Sequence, residues 1–561
     1  VQIVDCWWTE VSNLYTCDKD GKYMRRLSFD QVHTNYPQLL NDGRVTYTRW
    51  DYNDRGQLYP QPLFVMNVDG TGQAEYYGNN SWFPTTIAHA RPIPDSDQLI
   101  AIATGHHCIQ TGALIVIDVK QGRQETAGVT LVAPRVDDKK DRRYRRVDGY
   151  TGFDGHFTYP YALNEKEYLA SYSASQTGRD SMNGFALYYV REDGAREMLA
   201  FDPAISCHHP VPLVSRRMPR LQPSTVDYKK KTGEYYVQDV YFGPGSEGIE
   251  RGTVKKLRVV GLEFRAAGVG SNGNGGPAGG ALVSTPVAIR NGTWDVKVVV
   301  GETPVHEDGS AFFEVPARMP LYFQMIDGDG HVVQSMRSWS TLMPGERQSC
   351  LGCHEDKSSA GPVAYKLTEA LQSSARTLTP FHGPARGFSF PKEIQPILDR
   401  HCIKCHNDPS KSRVADGRKP EDKPEDEKKA FSLLSDVSKP RDGRQFSDSY
   451  VNLTLSGRPD AVVNWLNVQS IPPMLPPYFA GSAKSKLMTM LRDGHSKVKL
   501  SQEELDKIAC WIDLLIPYCG DYMEANAWGD GGEEKYRRFQ KKRDDMEAIE
   551  KENIQALLEK P

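Results

Sequence analysis

The sequence contains no apolar run near the ~20 residues that a membrane-spanning helix needs, so we expect no transmembrane segment. It also lacks a surplus of either charge, because 69 Lys and Arg stand against 72 Asp and Glu, for a net charge of −3. Nucleic-acid-binding chains typically carry a basic surplus, and we therefore expect no nucleic acid as a partner. With 561 residues, 39% of them hydrophobic and 25% charged, the composition is typical of a globular protein of several domains.

Cysteine is scarce, with ten residues in the chain, yet one pentapeptide pattern uses four of them. Cys350-Leu351-Gly352-Cys353-His354 and Cys402-Ile403-Lys404-Cys405-His406 both match the Cys-x-x-Cys-His pattern of c-type haem attachment. There, two thiols bind the haem covalently and the His is an axial ligand of the iron. A zinc ribbon also pairs CxxC motifs, but its usual spacer of about 15–20 residues is roughly one third of the spacing here. The sequence therefore predicts a redox protein with two covalently bound haem c groups.

The haem motifs also bear on the compartment, because bacteria attach haem c outside the cytoplasm. We expect an extracytoplasmic protein, and the opening at Val1, without Met or a visible signal peptide, is typical of a processed exported chain. Some of the other cysteines can pair in an oxidising compartment. Cys510 and Cys519 are the best candidates for a disulfide, with buried free thiols as the alternative. The other cysteines outside the motifs are Cys6, Cys17, Cys108 and Cys207.

The N-terminal half contains a diverged repeat in which an apolar strand precedes a turn rich in Asp and Gly. Examples begin at Leu14, Leu63, Leu114 and Leu187, and second strands fall near 43–50, 98–102 and 168–172. The Asp-Gly steps favour hairpin turns, and a period of about 50 residues is the size of a four-stranded blade. We predict an all-β propeller of five to seven blades over residues 1–265, with a β-sandwich as the alternative.

The rest of the chain divides by composition. Residues 266–282 are rich in Gly and predict a connection, and residues 283–380 predict a small β-rich middle domain that carries the first haem c. Residues 381–530 predict a mostly α-helical cytochrome c-type domain with the second haem c. In it, Ser501-Gln502-Glu503-Glu504 is a capping box that starts an amphipathic helix. Residues 531–561 predict a charged C-terminal surface helix.

The axial ligands of the second haem are predicted in part by the motif. His406 is one ligand, and the other must come from later in the domain. Met474 lies in a Pro-rich loop like the Met loop of many cytochromes c, and His495 lies just before the capped helix. A thioether ligand raises the reduction potential and a second imidazole keeps it lower, but the spacing does not separate the two candidates.

For the first haem, His354 is the ligand predicted by the motif, and the polar residues after it offer neither Met nor His. An iron without a nearby sixth ligand leaves a position for a substrate, which a catalytic haem needs. Two His-rich clusters upstream are candidates for metal ligation or proton transfer, or are simply hydrogen-bonded loop histidines. They are His106-His107-Cys108 and Cys207-His208-His209.

Three segments together resemble the hydrazine synthase α-subunit family. They are 205–213 after the predicted propeller, 308–317 continuing to Cys350-Leu351-Gly352-Cys353-His354, and a C-terminal cytochrome with Gly494-His495 and Trp511-Ile512-Asp513. The resemblance covers nearly the whole chain. It implies a catalytic first haem in the middle domain, facing the propeller, and a bis-His second haem that relays electrons. It thereby favours His495 over Met474.

The resemblance also implies roles at the first haem. Cys207 would form an additional bond to that haem, while His106 or His107 and Asp154 would line the pocket as catalytic residues. The family has a Tyr four residues after the motif His as the iron ligand, with that His binding zinc, whereas this chain has Ser358. Either His354 is then the ordinary iron ligand, or Tyr365 or another group takes the place of the Tyr. Zinc or calcium is a further candidate metal.

The leading functional hypothesis is an oxidoreductase acting on a small nitrogenous substrate such as hydroxylamine, ammonia or NO. Electrons would enter at the second haem, in a complex with other redox subunits or cytochromes. The resemblance implies the periplasm or an equivalent compartment such as the anammoxosome. The alternative is a non-catalytic electron-transfer subunit of a larger cytochrome complex, in which protein ligands saturate both irons.

Overall fold

Three of the four repeated apolar segments of the N-terminal half are the third strands of three four-stranded antiparallel sheets in the computed structural model, and the segment at Leu14 leads into a short hairpin. Each sheet is a meander whose strands are neighbours in sequence. The predicted strands near 43–50, 98–102 and 168–172 are the second strands. The first sheet has β3 (Thr34–Leu39), β4 (Val45–Arg49), β5 (Leu63–Met66) and β6 (Ala74–Tyr77). The second has β7 (Thr86–Pro92), β8 (Leu99–Thr104), β9 (Ala113–Ile117) and β10 (Val129–Ala133). The third has β11 (His156–Ala162), β12 (Glu167–Ser173), β13 (Ala186–Arg191) and β14 (Arg196–Ala200).

The structure describes most of the chain. The described ranges are 11–51, 60–81, 84–105, 110–134, 156–174, 184–220, 222–263, 287–289, 292–293, 295–353, 367–408, 431–437, 445–454, 461–465, 474–526 and 531–560. The predicted Gly-rich connection at 266–282 lies outside them.

The three sheets meet along their first strands, since β7 packs against both β3 and β11. This arrangement is not a two-layer sandwich. The N-terminal region is all-β as predicted, but its described strands form no closed ring. Up to residue 200, the described strands comprise three four-stranded sheets and a short hairpin of β1 (Tyr15–Thr16) and β2 (Arg25–Arg26). The propeller of five to seven blades stays a prediction.

The middle of the chain contains two further sheets. One has the order β18–β15–β21, with β15 (Thr232–Val237), β18 (Ala311–Pro316) and β21 (Arg347–Cys350). The other has the order β20–β19–β16–β17–β22, with β16 (Val254–Leu262), β17 (Lys297–Pro304), β19 (Leu321–Asp327), β20 (Val332–Ser335) and β22 (Arg386–Gly387). Since β15 and β16 pair with strands of the middle region, the sheets do not follow the expected division at residue 265.

The C-terminal region is helical, and its last described strand is β22. A π-helical turn at Phe390–Ile394 leads into α1 (Gln395–His401). The later helices are α2 (Asp448–Thr454), α3 (Lys486–Asp493), α4 (Gln502–Asp513), α5 (Tyr522–Asn526) and α6 (Gly532–Leu558). Short 3-10 turns lie at Pro244–Ser246, Glu369–Gln372, Ser482–Lys484 and His495–Lys497. None of the helices in the described ranges is both long enough and apolar enough to cross a membrane.

The predicted capping box is present at the start of α4. The Ser501 side chain accepts a hydrogen bond from the Glu504 backbone N–H, and the Glu504 side chain accepts one from the Ser501 backbone N–H. Ile508 and Ile512 on the predicted apolar face are buried, next to the fully buried Trp511. These helices share one apolar core with the five-stranded sheet, because the periodic apolar face of α4 meets alternating strand residues.

The predicted C-terminal helix is confirmed as α6, but it is more than a solvated surface helix. Glu550 is only 4% exposed and accepts a charged contact at 3.1 Å from Arg26 and one at 2.5 Å from Arg318. Since a buried carboxylate requires compensating charges, these contacts attach the end of the chain to its N-terminal hairpin.

We expect Glu550→Gln to destabilise the protein by about 2–3 kcal/mol, because it leaves two partly buried guanidinium groups without their shared carboxylate. Chemical denaturation followed by tryptophan fluorescence measures the loss. Glu552→Gln, at an exposed position of the same helix, is the matched control and should change stability by less than about 0.5 kcal/mol. Equal losses for the two variants would contradict the role of Glu550.

Candidate haem sites

The second Cys-x-x-Cys-His motif follows α1 without a break. The Cys402 carbonyl oxygen accepts hydrogen bonds of 3.1 Å from the backbone N–H groups of both Cys405 and His406, which curls the motif into a tight turn. Cys402 is half-buried and packs against the apolar core, whereas Cys405 is exposed. One thiol thus lies against the protein interior and the other faces solvent. This arrangement suits two thiols that attach to different positions on one edge of a flat ligand.

The His406 ring is oriented by a backbone group. Its Nδ1 lies 2.9 Å from the carbonyl oxygen of Phe431. A carbonyl only accepts, so Nδ1 carries the proton and Nε2 keeps its lone pair for another partner. This hydrogen bond to the second ring nitrogen is the usual companion of a metal-ligating histidine.

The structure brings His495 to His406 across the domain. Their ring centroids are 6.2 Å apart and their planes differ by 28°. Direct stacking would bring the rings closer. Two metal–nitrogen bonds of about 2.0 Å, plus about 1.1 Å from each nitrogen to its ring centre, add up to about 6.2 Å. The spacing therefore fits one metal atom held between two imidazoles.

Met474, the alternative ligand, lies in a loop that is held by the middle region. The neighbouring Leu475 carbonyl accepts a 2.8 Å hydrogen bond from Gln334 Nε2, which also donates to the Gly245 carbonyl at 3.1 Å. The described residues show no pairing of Met474 with His406 comparable to that of His495.

The first motif follows β21, which pairs in parallel with β15. The chain after β15 grips the motif through three backbone hydrogen bonds: Gln238 N–H to the Cys350 carbonyl at 2.9 Å, Asp239 N–H to the Leu351 carbonyl at 3.1 Å, and Cys353 N–H to the Phe242 carbonyl at 2.9 Å. Both thiols are half-buried against the apolar core of the two middle sheets, with Cys353 Sγ 3.5 Å from Met325 Sδ. The two cysteines are therefore held at set positions on a rigid sheet.

Gly352 allows this close approach. A Cβ at this position would lie 2.1 Å from the Phe242 carbonyl oxygen and 2.8 Å from that of Asp239. Both distances are shorter than real contacts, and both neighbours are backbone atoms that cannot rotate away. The sequence did not single out Gly352, since the motif accepts any residue between its cysteines.

We expect Gly352→Ala to displace Cys350 and Cys353 and to lower haem attachment at the first motif by more than half. Mass spectrometry of the haem peptides, together with a pyridine haemochrome assay, measures the occupancy of each motif. Lys404→Ala is the matched control, since Lys404 holds the equivalent position in the second motif and is exposed. Full attachment in the Gly352 variant would show that the backbone contact is unimportant.

Several predicted residues of the first site lie outside the described residues. They are His354, Ser358, Tyr365, His106, His107, Cys108 and Asp154. The ligation of the first iron and the pocket around it therefore stay predictions.

Cys207 and the adjacent histidines lie in the extended segment after β14. The Cys207 N–H donates a 2.9 Å hydrogen bond to the Phe185 carbonyl, which holds the half-buried thiol beside the third sheet. The His208 ring centroid lies 5.1 Å from that of Phe185, and the His209 ring centroid lies 3.5 Å from that of Tyr159. The two histidines are thus packed among aromatic rings and are not free loop residues.

No disulfide joins Cys510 and Cys519, so the predicted pairing is wrong. Both are buried in the core shared by the helices and the five-stranded sheet. Burial raises the pKa of Cys510 to about 12, so the thiol stays neutral and packs as a small apolar group.

Comparison with known proteins supports the family suggested by the sequence. The family described as "Hydrazine synthase alpha subunit middle domain" matches residues 252–355, which contain β16 to β21 and the first haem motif. Over an alignment of 609 residues, the chain is 22% identical to hydrazine synthase subunit alpha of Kuenenia stuttgartiensis, covering 90% of this chain and 71% of the relative.

A solved structure of Kuenenia stuttgartiensis hydrazine synthase has the same fold over most of the chain. The TM-score is 0.63 at 17% identity, over 88% of this chain and 70% of the solved chain. The matched middle domain begins before residue 265, in agreement with the strand pairing of β16. The motifs, the fold and the matched middle domain together make the chain a hydrazine synthase alpha-like protein.

Proposed function

We propose that the chain is an extracytoplasmic dihaem c-type redox protein, with a catalytic site for small nitrogen compounds at the first haem and an electron relay at the second. The observation that carries the proposal is the 6.2 Å separation of the His406 and His495 rings next to a Cys-x-x-Cys-His motif. Covalently bound haem supplies one-electron transfer and, where an axial position is open, Lewis acidity toward small nitrogen ligands. The name of the relative indicates that hydrazine is the product of that enzyme. For this chain we propose only the class of substrate, which is small nitrogen compounds.

The second site fits a relay, because the chain supplies both axial groups from rigid elements. His406 follows α1 and is oriented by the Phe431 carbonyl, and His495 begins a short turn directly after α3. Two imidazoles bound to one haem iron would leave no position on it for a substrate. The exposed Cys405 lies on the solvent side, where a partner redox protein can approach.

The first site fits a catalytic role, because its cysteines belong to a packed sheet instead of a small cytochrome domain. The backbone hydrogen bonds of Leu351 and Cys353 would keep the haem attachment points in place when a small ligand binds or leaves. His106, His107 and Asp154 are the residues we propose for proton transfer, and Cys207 is the proposed additional link to this haem. These assignments rest on the family resemblance.

The two haem-bearing parts are rigidly joined through buried polar contacts. Asp513 at the end of α4 accepts hydrogen bonds from the Ser482 hydroxyl at 2.6 Å and from the Val332 N–H at 3.2 Å. Ser482 also lies 2.6 Å from His331 Nδ1. Burial raises the pKa of Asp513 to about 6, while these donors and Arg258 favour its charged form. Electron transfer would depend on a constant separation of the two proposed centres, and these contacts support such an arrangement.

Absorption and EPR spectra of the as-isolated protein test the proposal, with hydroxylamine, NO and cyanide as probes. We expect the second haem to be low-spin and six-coordinate and to bind none of the probes, and the spectrum of the first haem to change with each of them. Two low-spin haems that ignore all three probes would overturn catalysis at the first haem and favour a purely electron-transferring subunit. Fewer than two haems attached per chain would overturn the dihaem assignment itself.

A further inference from the structure

Four aromatic residues lie where the N-terminal sheets meet, three of them at equivalent positions of the first strands. Tyr36, His89 and Tyr159 lie in the irregular stretches of β3, β7 and β11, where the register with the second strand shifts. Their φ angles are 55°, 54° and 48°, and His209, after β14, has a φ of 54°. We call these four residues the axial ring cluster.

The left-handed backbone conformation is costly for side chains of this size. Residues held in it concentrate at functional sites, where the surrounding fold maintains the strain. Here the same conformation recurs at the matching position of three first strands and once more at His209, so in the three sheets it is a property of the repeat. Because a bulge changes the direction of the side chain, it turns each ring toward the line along which the first strands meet.

The four rings contact one another in a continuous row, with interplanar angles of 57°, 47° and 30°. The ring centroids of Tyr36 and His89 are 4.3 Å apart, those of His89 and Tyr159 are 4.2 Å apart, and those of Tyr159 and His209 are 3.5 Å apart. The segment after β14 thus completes the cluster without being a strand. Its residues therefore belong to the same site as the three sheets.

Two arginines lie near the axial ring cluster. Arg91 comes two residues after His89, and its guanidinium lies 5.6 Å from the ring centroid of Tyr161, two residues after Tyr159. The Arg216 guanidinium lies 4.3 Å from the same ring. Among the described residues neither arginine forms an ion pair with a carboxylate. Two like charges therefore share one aromatic ring without a counter-charge.

Polar atoms at the same place also lack partners. The Tyr161 side chain is 3% exposed, and its hydroxyl is buried without a hydrogen bond, as are the Tyr36 hydroxyl and His208 Nδ1. Leaving such donors unsatisfied costs free energy, and a ligand that accepts hydrogen bonds would recover it. The charges nearby also favour an anion. Burial, followed by the positive charges of His209 and Arg91, lowers the pKa of His89 to about 3.

We propose that the face of the axial ring cluster formed by Arg91, Arg216 and Tyr161 binds a small inorganic oxyanion. The planar guanidinium groups match the paired oxygens of such an anion, and the Tyr161 hydroxyl donates to a third oxygen. Arg216 is exposed and marks the side from which the anion enters, whereas Arg91 is half-buried. This site goes beyond the proposed function, because it needs neither haem.

Isothermal titration of the full-length, haem-loaded protein with sulfate and with phosphate, at low ionic strength, tests the site. These two anions are chosen because they are poor ligands of haem iron. We expect saturable binding of at least one of them, with one anion per chain and no change in the haem absorption. Binding that is not saturable at millimolar concentration, or that comes with a change in the haem spectrum, would overturn the proposal.

Variants locate the site. Arg91→Gln and Arg216→Gln should each weaken binding by about tenfold or more, since each removes charge-assisted hydrogen bonds. Arg217→Gln is the matched control, exposed and adjacent to Arg216, and should leave binding within twofold. If Arg91→Gln does not fold, Arg91→Lys is the second variant. It keeps the positive charge but loses the planar guanidinium with its paired donors, and it should still weaken anion binding. Equal weakening by the Arg216 and Arg217 variants would show non-specific attraction and overturn the site.

Discussion

Methionine in place of His495 is expected to raise the reduction potential of the haem proposed at Cys402 and Cys405 by on the order of 0.1 V. A thioether ligand favours ferrous iron relative to imidazole. The substitution keeps a ligand of similar reach, and His495 lies in a half-exposed turn where methionine does not disturb the core. A spectroelectrochemical titration that follows the two haems separately measures the shift.

Met474→Leu is the matched control for this experiment. If His495 ligates the iron, the leucine variant leaves both the potential and the spectrum unchanged. The reverse result, in which Met474→Leu changes the haem and His495→Met does not, would make Met474 the ligand. It would also remove the structural basis for the relay, which rests on the facing imidazoles.

His406→Ala is expected to have the second large effect, because it removes the ligand that the motif itself supplies. The low-spin spectrum of the second haem should be lost, and reduction of the first haem by an external donor should slow by at least about tenfold. Binding of cyanide or NO at the first haem should persist, since Cys350 and Cys353 are held by the middle sheets and not by α1. Stopped-flow reduction and ligand titrations measure the two properties.

Lys404→Ala, at an exposed position in the same motif, is the control and should change neither property. Loss of cyanide binding in the His406 variant, at unchanged occupancy of the first haem, would show that the two sites are one functional unit. The assignment of electron relay to the second haem and of catalysis to the first would then be wrong.

Local patterns in the sequence predicted the local structure well. The capping box at Ser501 and the strands β5, β9 and β13 are found where the sequence places them. These features depend on side chains a few residues apart, whose spacing follows from helix and strand periodicity. The candidate attachment sites are local for the same reason, since Cys-x-x-Cys-His is contiguous.

Domain boundaries were less predictable. The strands β15 and β16 come before the Gly-rich segment 266–282, so the sequence assigned them to the N-terminal domain. Their partners are β18, β21, β17 and β19, which come much later in the chain. A strand's own pattern shows that it is half-buried, but not which strand it pairs with.

By itself, the sequence determined the two haem motifs, the order of β-rich and helical regions and the family resemblance. Only the tertiary structure decided that His495 lies opposite His406, that Gly352 must lack a side chain, and that the rings of Tyr36, His89, Tyr159 and His209 contact one another. The physical reason is the same in each case. These relations join residues far apart in sequence, and such contacts are selected by the packing of whole sheets and helices, which no local periodicity encodes.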